Sequence, residues 1–158
     1  MFYNSLNRKG KGNDVTPEDV IRMVAIHNNM NEQTWRQLLF WERLHCNKCD
    51  DPRLLRFTGR PDDLSPTARI YTLMGYKGPF DRHDWIVDRC GTEVRYIIDY
   101  YHDPKLPVDE KLPAKHDLDA KTQIVLDVRP ALDSPAAAFD RAQFEPGQKL
   151  IRVRLGKS

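Results

Sequence analysis

The sequence predicts an α+β fold: helices first, then a small three-stranded antiparallel sheet, then a C-terminal helix. Three observations carry this reading. Val20, Met23, Val24 and His27 recur at helical spacing on one face. Thr16-Pro17, Ser65-Pro66 and Ser134-Pro135 each pair a capping residue with a proline suited to the first helical position. From Asp84 the apolar period falls to two, which is the period of a strand.

The first helix starts at Thr16-Pro17-Glu18-Asp19, where the acids also complement the positive end of the helix dipole. The Asn-rich stretch Asn28 to Asn31 is expected to end it, because asparagine competes for backbone hydrogen bonds. A second helix is expected over about Glu32 to Leu44, with Trp35, Leu38, Leu39 and Glu42 on one side and Asp50-Asp51-Pro52 as its stop. Arg53 to Phe57 is short and extended in character, and Gly59 to Asp63 reads as loop. Ser65-Pro66 opens a third helix over about Thr67 to Met74, with Gly75 suited to its C-terminal end.

Trp85 to Arg89 reads as a strand, Cys90-Gly91 as a turn, and Thr92 to Tyr101 as the next strand. In the latter, Val94, Tyr96, Ile98 and Tyr100 alternate with Arg95, Ile97, Asp99 and Tyr101, so both faces carry bulky residues and both should be partly covered. Gln123 to Arg129 forms the third strand, ended by Pro130, and the last helix runs from Ser134-Pro135 to about Phe144. Residues 102–120 read as loop or linker. The domain plan is a flexible segment over 1–15, a single domain over 16–144 and a basic tail over 145–158.

Composition excludes several function classes. The 158 residues are 40% hydrophobic and 30% charged, a soluble balance long enough to bury a core. A net charge of +2 and the lack of a basic stripe interleaved with aromatics argue against nucleic acid. No stretch approaches the roughly 20 apolar residues of a membrane span, and no apolar signal region opens the chain. The three cysteines, Cys46, Cys49 and Cys90, are an odd number, which argues against a disulfide framework. His45, Cys46 and Cys49 could be read as zinc ligands, but neighbouring helical side chains diverge by about 100° and a fourth ligand is missing.

Two clusters stand out as candidate sites. The run Ile26 to Trp35 sets His27 between asparagines, Glu32 and an aromatic residue; neutral imidazole is the commonest protein ligand for iron and similar metals. The alternative is an ordinary hydrogen-bonded histidine. Asp81-Arg82-His83-Asp84-Trp85 either meets a polar or anionic ligand or forms a hydrogen-bonded turn that locks the hairpin. Arg89, Arg95 and Arg129 sit on or beside strands, where arginines pair with carboxylates such as Asp88, Asp99 or Asp127, or grip those of a ligand.

Four segments resemble the holocytochrome c synthase family, also called cytochrome c haem lyase. They are Ile26 to Glu32, Pro79 to Val87, Asp88 to Tyr101 and Leu126 to Asp133, with Trp35, Trp41-Glu42, Arg56-Phe57 and Leu64-Ser65-Pro66 in order between them. The resemblance covers about Met1 to Phe144. It implies a lyase that joins haem to the Cys-x-x-Cys-His motif of apocytochrome c, or of cytochrome c1, through two thioether bonds. It implies ferrous haem as bound substrate, and a place in the mitochondrial intermembrane space, peripheral on the inner membrane.

By resemblance, His27 supplies an axial iron ligand, with Asn28 and Glu32 supporting haem and substrate docking, and His83 plays a supporting part. Arg89 and Arg95 match basic positions that face haem propionates or hold the sheet; Arg82 belongs with them as a candidate. Haem is a large apolar disc with two carboxylates, so Trp35, Trp41, Tyr96 and Met30 are candidate walls. The catalytic work expected is positioning, since the substrate's own thiols attack the haem vinyl groups. A carrier that ligates haem through His27 without making thioethers is the competing reading. The sequence departs from the family in lacking a longer N-terminal region with Cys-Pro motifs, and in Glu145-Pro146-Gly147 followed by a basic tail where an aromatic-rich helix is expected. Cys46 and Cys49 match no functional motif of the family.

Overall fold

The computed structural model describes residues 16–103, residue 105 and residues 123–143. The expectations for 1–15, for most of 102–120 and for the tail lie outside the described residues. Among those described, residues up to Gln33 belong to one compact unit and those from Thr34 onward to a second.

Helix α1 runs unbroken over Pro17–Glu42, so the expected break at Asn28 to Asn31 does not occur. The reason is local. The Asn31 amide lies 3.2 Å from His27 Nδ1, and Gln33 Nε2 donates to Asn29 Oδ1 at 2.8 Å. Both pairs are four residues apart, so these polar side chains bond along the helix instead of competing with its backbone.

The second unit is built on an antiparallel sheet of four strands in the order β1-β2-β3-β4. These are β1 (Arg53–Gly59), β2 (Asp81–Arg89), β3 (Thr92–His102) and β4 (Ile124–Pro130). The three-stranded expectation is therefore corrected: Arg53 to Gly59 pairs with β2 as a full edge strand. Its sequence shows no clean alternation because Leu55 is a bulge, falling between the pairs Leu54↔Val87 and Arg56↔Ile86. β2 also begins earlier than expected, so the Asp81 to Asp84 cluster lies within a strand and is not a turn.

Pairing assigns the faces. One face carries His83, Trp85, Val87, Tyr96, Ile98, Tyr100, Leu126 and Val128. It forms the core with Leu38 and Trp41, whose Nε1 donates to Val128 O at 2.8 Å. The opposite face carries Arg82, Asp84, Arg95, Ile97, Asp99, Asp127 and Arg129. It is charged yet buried, and each charge is matched.

Helix α2 (Pro66–Leu73) begins as its sequence signature demands: Ser65 accepts from Ala68 N, and proline stands in the first turn. Gly75, at φ 85°, ends it. Ser65 Oγ also donates to Asp99 Oδ2 at 2.5 Å and accepts from Arg129 Nη2 at 2.7 Å, so the cap is tied into the charged face. Helix α3 (Pro135–Gln143) is held to the end of β4 by Arg141, whose Nε donates to Pro130 O at 2.7 Å.

The β2–β3 turn is Cys90-Gly91, with φ of 46° and 95°. Two residues in the left-handed region match the twist of a tight hairpin. Glycine is at ease there; Cys90 carries a Cβ and is strained by about 1 kcal/mol. Cys90 is bonded to Cys49, with Cα atoms 5.5 Å apart. The expectation of no disulfide is thus overturned. An odd count leaves one thiol over, here Cys46, but does not forbid a pair. The bond also removes Cys49 as a zinc ligand. Among the described residues no three of His, Cys, Asp and Glu are grouped to hold a metal.

Candidate functional site

In the first unit, His27 and Asn28 are exposed on α1 and Glu32 is half-buried. The Asn31 amide, one turn on, faces His27 Nδ1. This partner fixes which ring nitrogen carries the proton, and it escaped the sequence reading, which weighed Asn28 and Glu32 instead. The spacing of four residues on a helix was the signal available for it.

In the second unit the candidate residues fall into three groups. Trp41 is buried against β4, and Trp35 is half-buried on the same helix. His83 sits between Asp81 and Tyr100: its Nε2 is 3.2 Å from Asp81 Oδ2, and its Nδ1 is 3.3 Å from the Tyr100 hydroxyl. The Tyr100 ring meets the imidazole edge-on at 5.1 Å. Burial pushes the Tyr100 hydroxyl up to about 12, with Asp81 adding to the rise and a hydrogen bond from Thr34 opposing it. At neutral pH this phenol is therefore a fixed donor or acceptor and not a base. Close by in the same strand, the buried Trp85 Nε1 has no hydrogen-bond partner, an unspent donor on the aromatic face.

The arginines form the third group. Arg89 makes a two-pronged contact with Glu42, Nε to Oε2 at 2.7 Å and Nη2 to Oε1 at 2.8 Å. Tyr96 donates to the same Glu42 Oε1 at 2.5 Å. Burial weakens the Arg89 charge, but the Glu42 hydrogen bonds and charge outweigh it, and its pKa is raised. Burial, and the negative Glu42 beside it, push the Tyr96 phenol far up. Arg95 is forked onto Asp133, at 2.7 and 2.6 Å, and its Nη1 reaches Asp84 at 2.9 Å. Arg82 is forked onto the same Asp84, at 3.0 and 3.1 Å. All three guanidiniums are thus held by carboxylates of this chain.

Arg89 and Arg95 both line a cleft of about 530 Å³ at the hairpin end of the sheet. Ile86, Val94, Ser134 and Ala137 complete much of its wall. Asp140, at its edge, receives His45 Nε2 at 2.8 Å. Glu42, Asp133 and Asp140 are the partners that sequence reasoning missed here, while Asp84 lay in the cluster it singled out. The three missed residues lie 38 to 95 residues from their partners, so no local pattern marks them.

The comparisons with known proteins identify the family. The description "Cytochrome c/c1 heme lyase" belongs to the family profile that matches residues 1–144. The chain is 47% identical to the holocytochrome c-type synthase of Bos taurus over 145 residues, which is 89% of this chain and 49% of that protein. The human holocytochrome c-type synthase is 46% identical over 145 residues, 89% of this chain and 50% of the other. A putative holocytochrome-c1 synthase of Schizosaccharomyces pombe is 42% identical over 133 residues, 84% of this chain and 55% of the other. No solved structure matches. The chain belongs to the cytochrome c/c1 haem lyase family, and it spans about half the length of the curated relatives it matches.

Proposed function

We propose that this chain takes part in attaching haem covalently to apocytochrome c, a reading that its relatives' name, holocytochrome c-type synthase, supports. The observation that carries the proposal is the family match over residues 1–144 together with identity near 47% to holocytochrome c-type synthases. In this reading haem and the Cys-x-x-Cys-His segment of the apoprotein are substrates, and the two thiols add to the haem vinyl groups to give thioethers.

His27 is the axial ligand. Its imidazole is exposed, as an incoming iron requires. The Asn31 amide nitrogen, 3.2 Å from Nδ1, orients the His27 ring on the helix surface. Asn28 and Glu32 dock the substrate segment. His83, set by Asp81 and Tyr100, plays a supporting part, and Trp35 offers apolar surface, whereas Trp41 and Tyr96 are buried in the core. Of the two roles open to Arg89 and Arg95, the sheet-holding one fits better, because haem propionates would have to displace Glu42 and Asp133.

The reaction uses ferrous haem, and the chain acts in the mitochondrial intermembrane space, peripheral on the inner membrane. Among the described residues no helix is long and apolar enough to cross a membrane.

The test is co-expression with apocytochrome c, followed by absorption spectra and a check for haem that survives denaturation on the cytochrome. Covalent cytochrome with the wild-type chain, and none with His27→Ala, supports the proposal. Haem that co-purifies with the chain but never becomes covalent makes it a carrier. Normal holocytochrome from His27→Ala overturns the ligand assignment.

A further inference from the structure

All three cysteines belong to the second unit. Cys49 and Cys90 are bonded, and Cys46, three residues before Cys49, is an exposed free thiol. We propose that Cys46, Cys49 and Cys90 form a thiol–disulfide exchange site, in which Cys46 attacks Cys49 and releases Cys90.

The local backbone favours this attack. Cys46 follows the 3-10 turn Arg43–His45 in helical conformation, at φ −56° and ψ −27°. Cys49 N donates to His45 O at 3.0 Å, so the segment closes one helical turn. Residues three apart on such a turn have Cβ atoms roughly 5–6 Å apart. A disulfide needs about 3.5–4.5 Å, so a small tightening of the turn brings the two sulfurs into bonding range. Nothing strong restrains the attacking sulfur: it makes a weak 3.9 Å contact with Asn47 Oδ1. The leaving residue, Cys90, is exposed.

The step balances within the chain. The Cys46 thiolate forms a bond to Cys49 Sγ, the Cys49–Cys90 bond breaks, and Cys90 leaves with the electron pair and takes up the proton that Cys46 gave up. One disulfide exists before and after, so no oxidant or reductant is consumed. The exchange unties the turn after α1 from the β2–β3 turn. It leaves the Glu42–Arg89 and His45–Asp140 pairs to hold the same corner by hydrogen bonds alone. The thiol set free at Cys90 is the atom that a disulfide of another molecule would meet.

The test uses the intact chain without added thiol. A dilute alkylating reagent is added slowly, and the labelled and bridged positions are found by peptide mapping. Label at both Cys46 and Cys90, a Cys90 share that grows as pH is raised, and a Cys46–Cys49 peptide support the proposal, because the thiolate is the attacking species. Cys46→Ser should take no label at Cys90, and Cys90→Ser should form the Cys46–Cys49 bond on mild oxidation. Label confined to Cys46 at every pH, with Cys49–Cys90 intact throughout, overturns the proposal. Label at Cys49 overturns it too, since it would mean attack on the other sulfur.

Discussion

Arg129→Met isolates the energetics of the charged sheet face. Arg129 has only 2% of its side chain exposed, and its partner Asp99 has none exposed. The guanidinium also contacts Asp127 Oδ2 at 2.5 Å and Ser65 Oγ at 2.7 Å. Burial disfavours its charge, yet Asp127 and Asp99 more than restore it, so its pKa is raised. Methionine fills a similar volume but leaves the Asp99 carboxylate buried and unmatched. Breaking one partner of a buried pair costs about 3–5 kcal/mol. For a chain of this length each kcal/mol moves the melting temperature by about 2–4 °C, so the expected drop is about 6–20 °C. Urea unfolding should show a lower midpoint at unchanged slope. The double variant Arg129→Met/Asp99→Leu removes both buried charges and should recover most of the loss, since apolar replacement of a whole buried pair is often neutral. A single variant that loses less than about 1 kcal/mol, or a double variant that is worse than the single, refutes the reasoning.

Three further outcomes follow from the same contacts. Asp133 is held below the usual carboxylate range by its Arg95 hydrogen bonds. The stability it contributes is therefore present above the unfolded pKa of about 3.9 and lost as pH falls through the lower native value. The gap in melting temperature between wild type and Asp133→Asn should be constant near neutrality and close in that acid window; a constant gap down to the lowest pH contradicts this. Burial raises Tyr96, Tyr100 and Tyr101 alike, Tyr100 to about 12. Their contribution is complete below the unfolded pKa of about 10 and lost as pH climbs through the folded values, so three of the chain's six tyrosines should ionise late in a tyrosinate absorbance titration. Finally, the Cys49–Cys90 bond spans 41 residues, and Cys90→Ser should cost about 4 kcal/mol by loop closure, read as a lower urea midpoint that wild type reproduces when reduced.

Much of the second unit was legible in sequence. Alternation in Thr92 to Tyr101 separated Tyr96, Ile98 and Tyr100 from Arg95, Asp99 and Tyr101, and the pairing puts those sets on opposite faces. Ser65-Pro66 capped a helix because hydroxyl caps and first-turn prolines act locally. Of the strand arginines read as partners of Asp88, Asp99 or Asp127, or of a ligand, Arg129 pairs with Asp99 and Asp127, while Arg89 pairs with Glu42 and Arg95 with Asp133 and Asp84. What failed had distant or compensating causes. Asn28 to Asn31 reads as a breaker until His27 and Gln33 are seen to absorb two of the asparagine side chains. β1 reads as irregular because a bulge hides its alternation. The Cys49–Cys90 bond and the Arg89–Glu42 fork join residues more than forty apart, which no short window contains.

The bulge at Leu55 also bears on the solubility of the chain. β1 is an edge strand, exposed throughout, and it carries Leu54, Leu55 and Phe57. A flat apolar edge of this kind is a template for cross-β stacking between molecules. The extra residue interrupts that template midway and sharpens the local twist, while Arg53 and Arg56, ion-paired with Asp51 and Glu93, place charged side chains along the line where a second molecule would dock. Removing Leu55 would bring Leu54 and Arg56 into continuous pairing with Val87 and Ile86 and straighten the edge. A one-residue deletion there should leave the core composition untouched and yet turn a dispersed protein into one that forms fibrils.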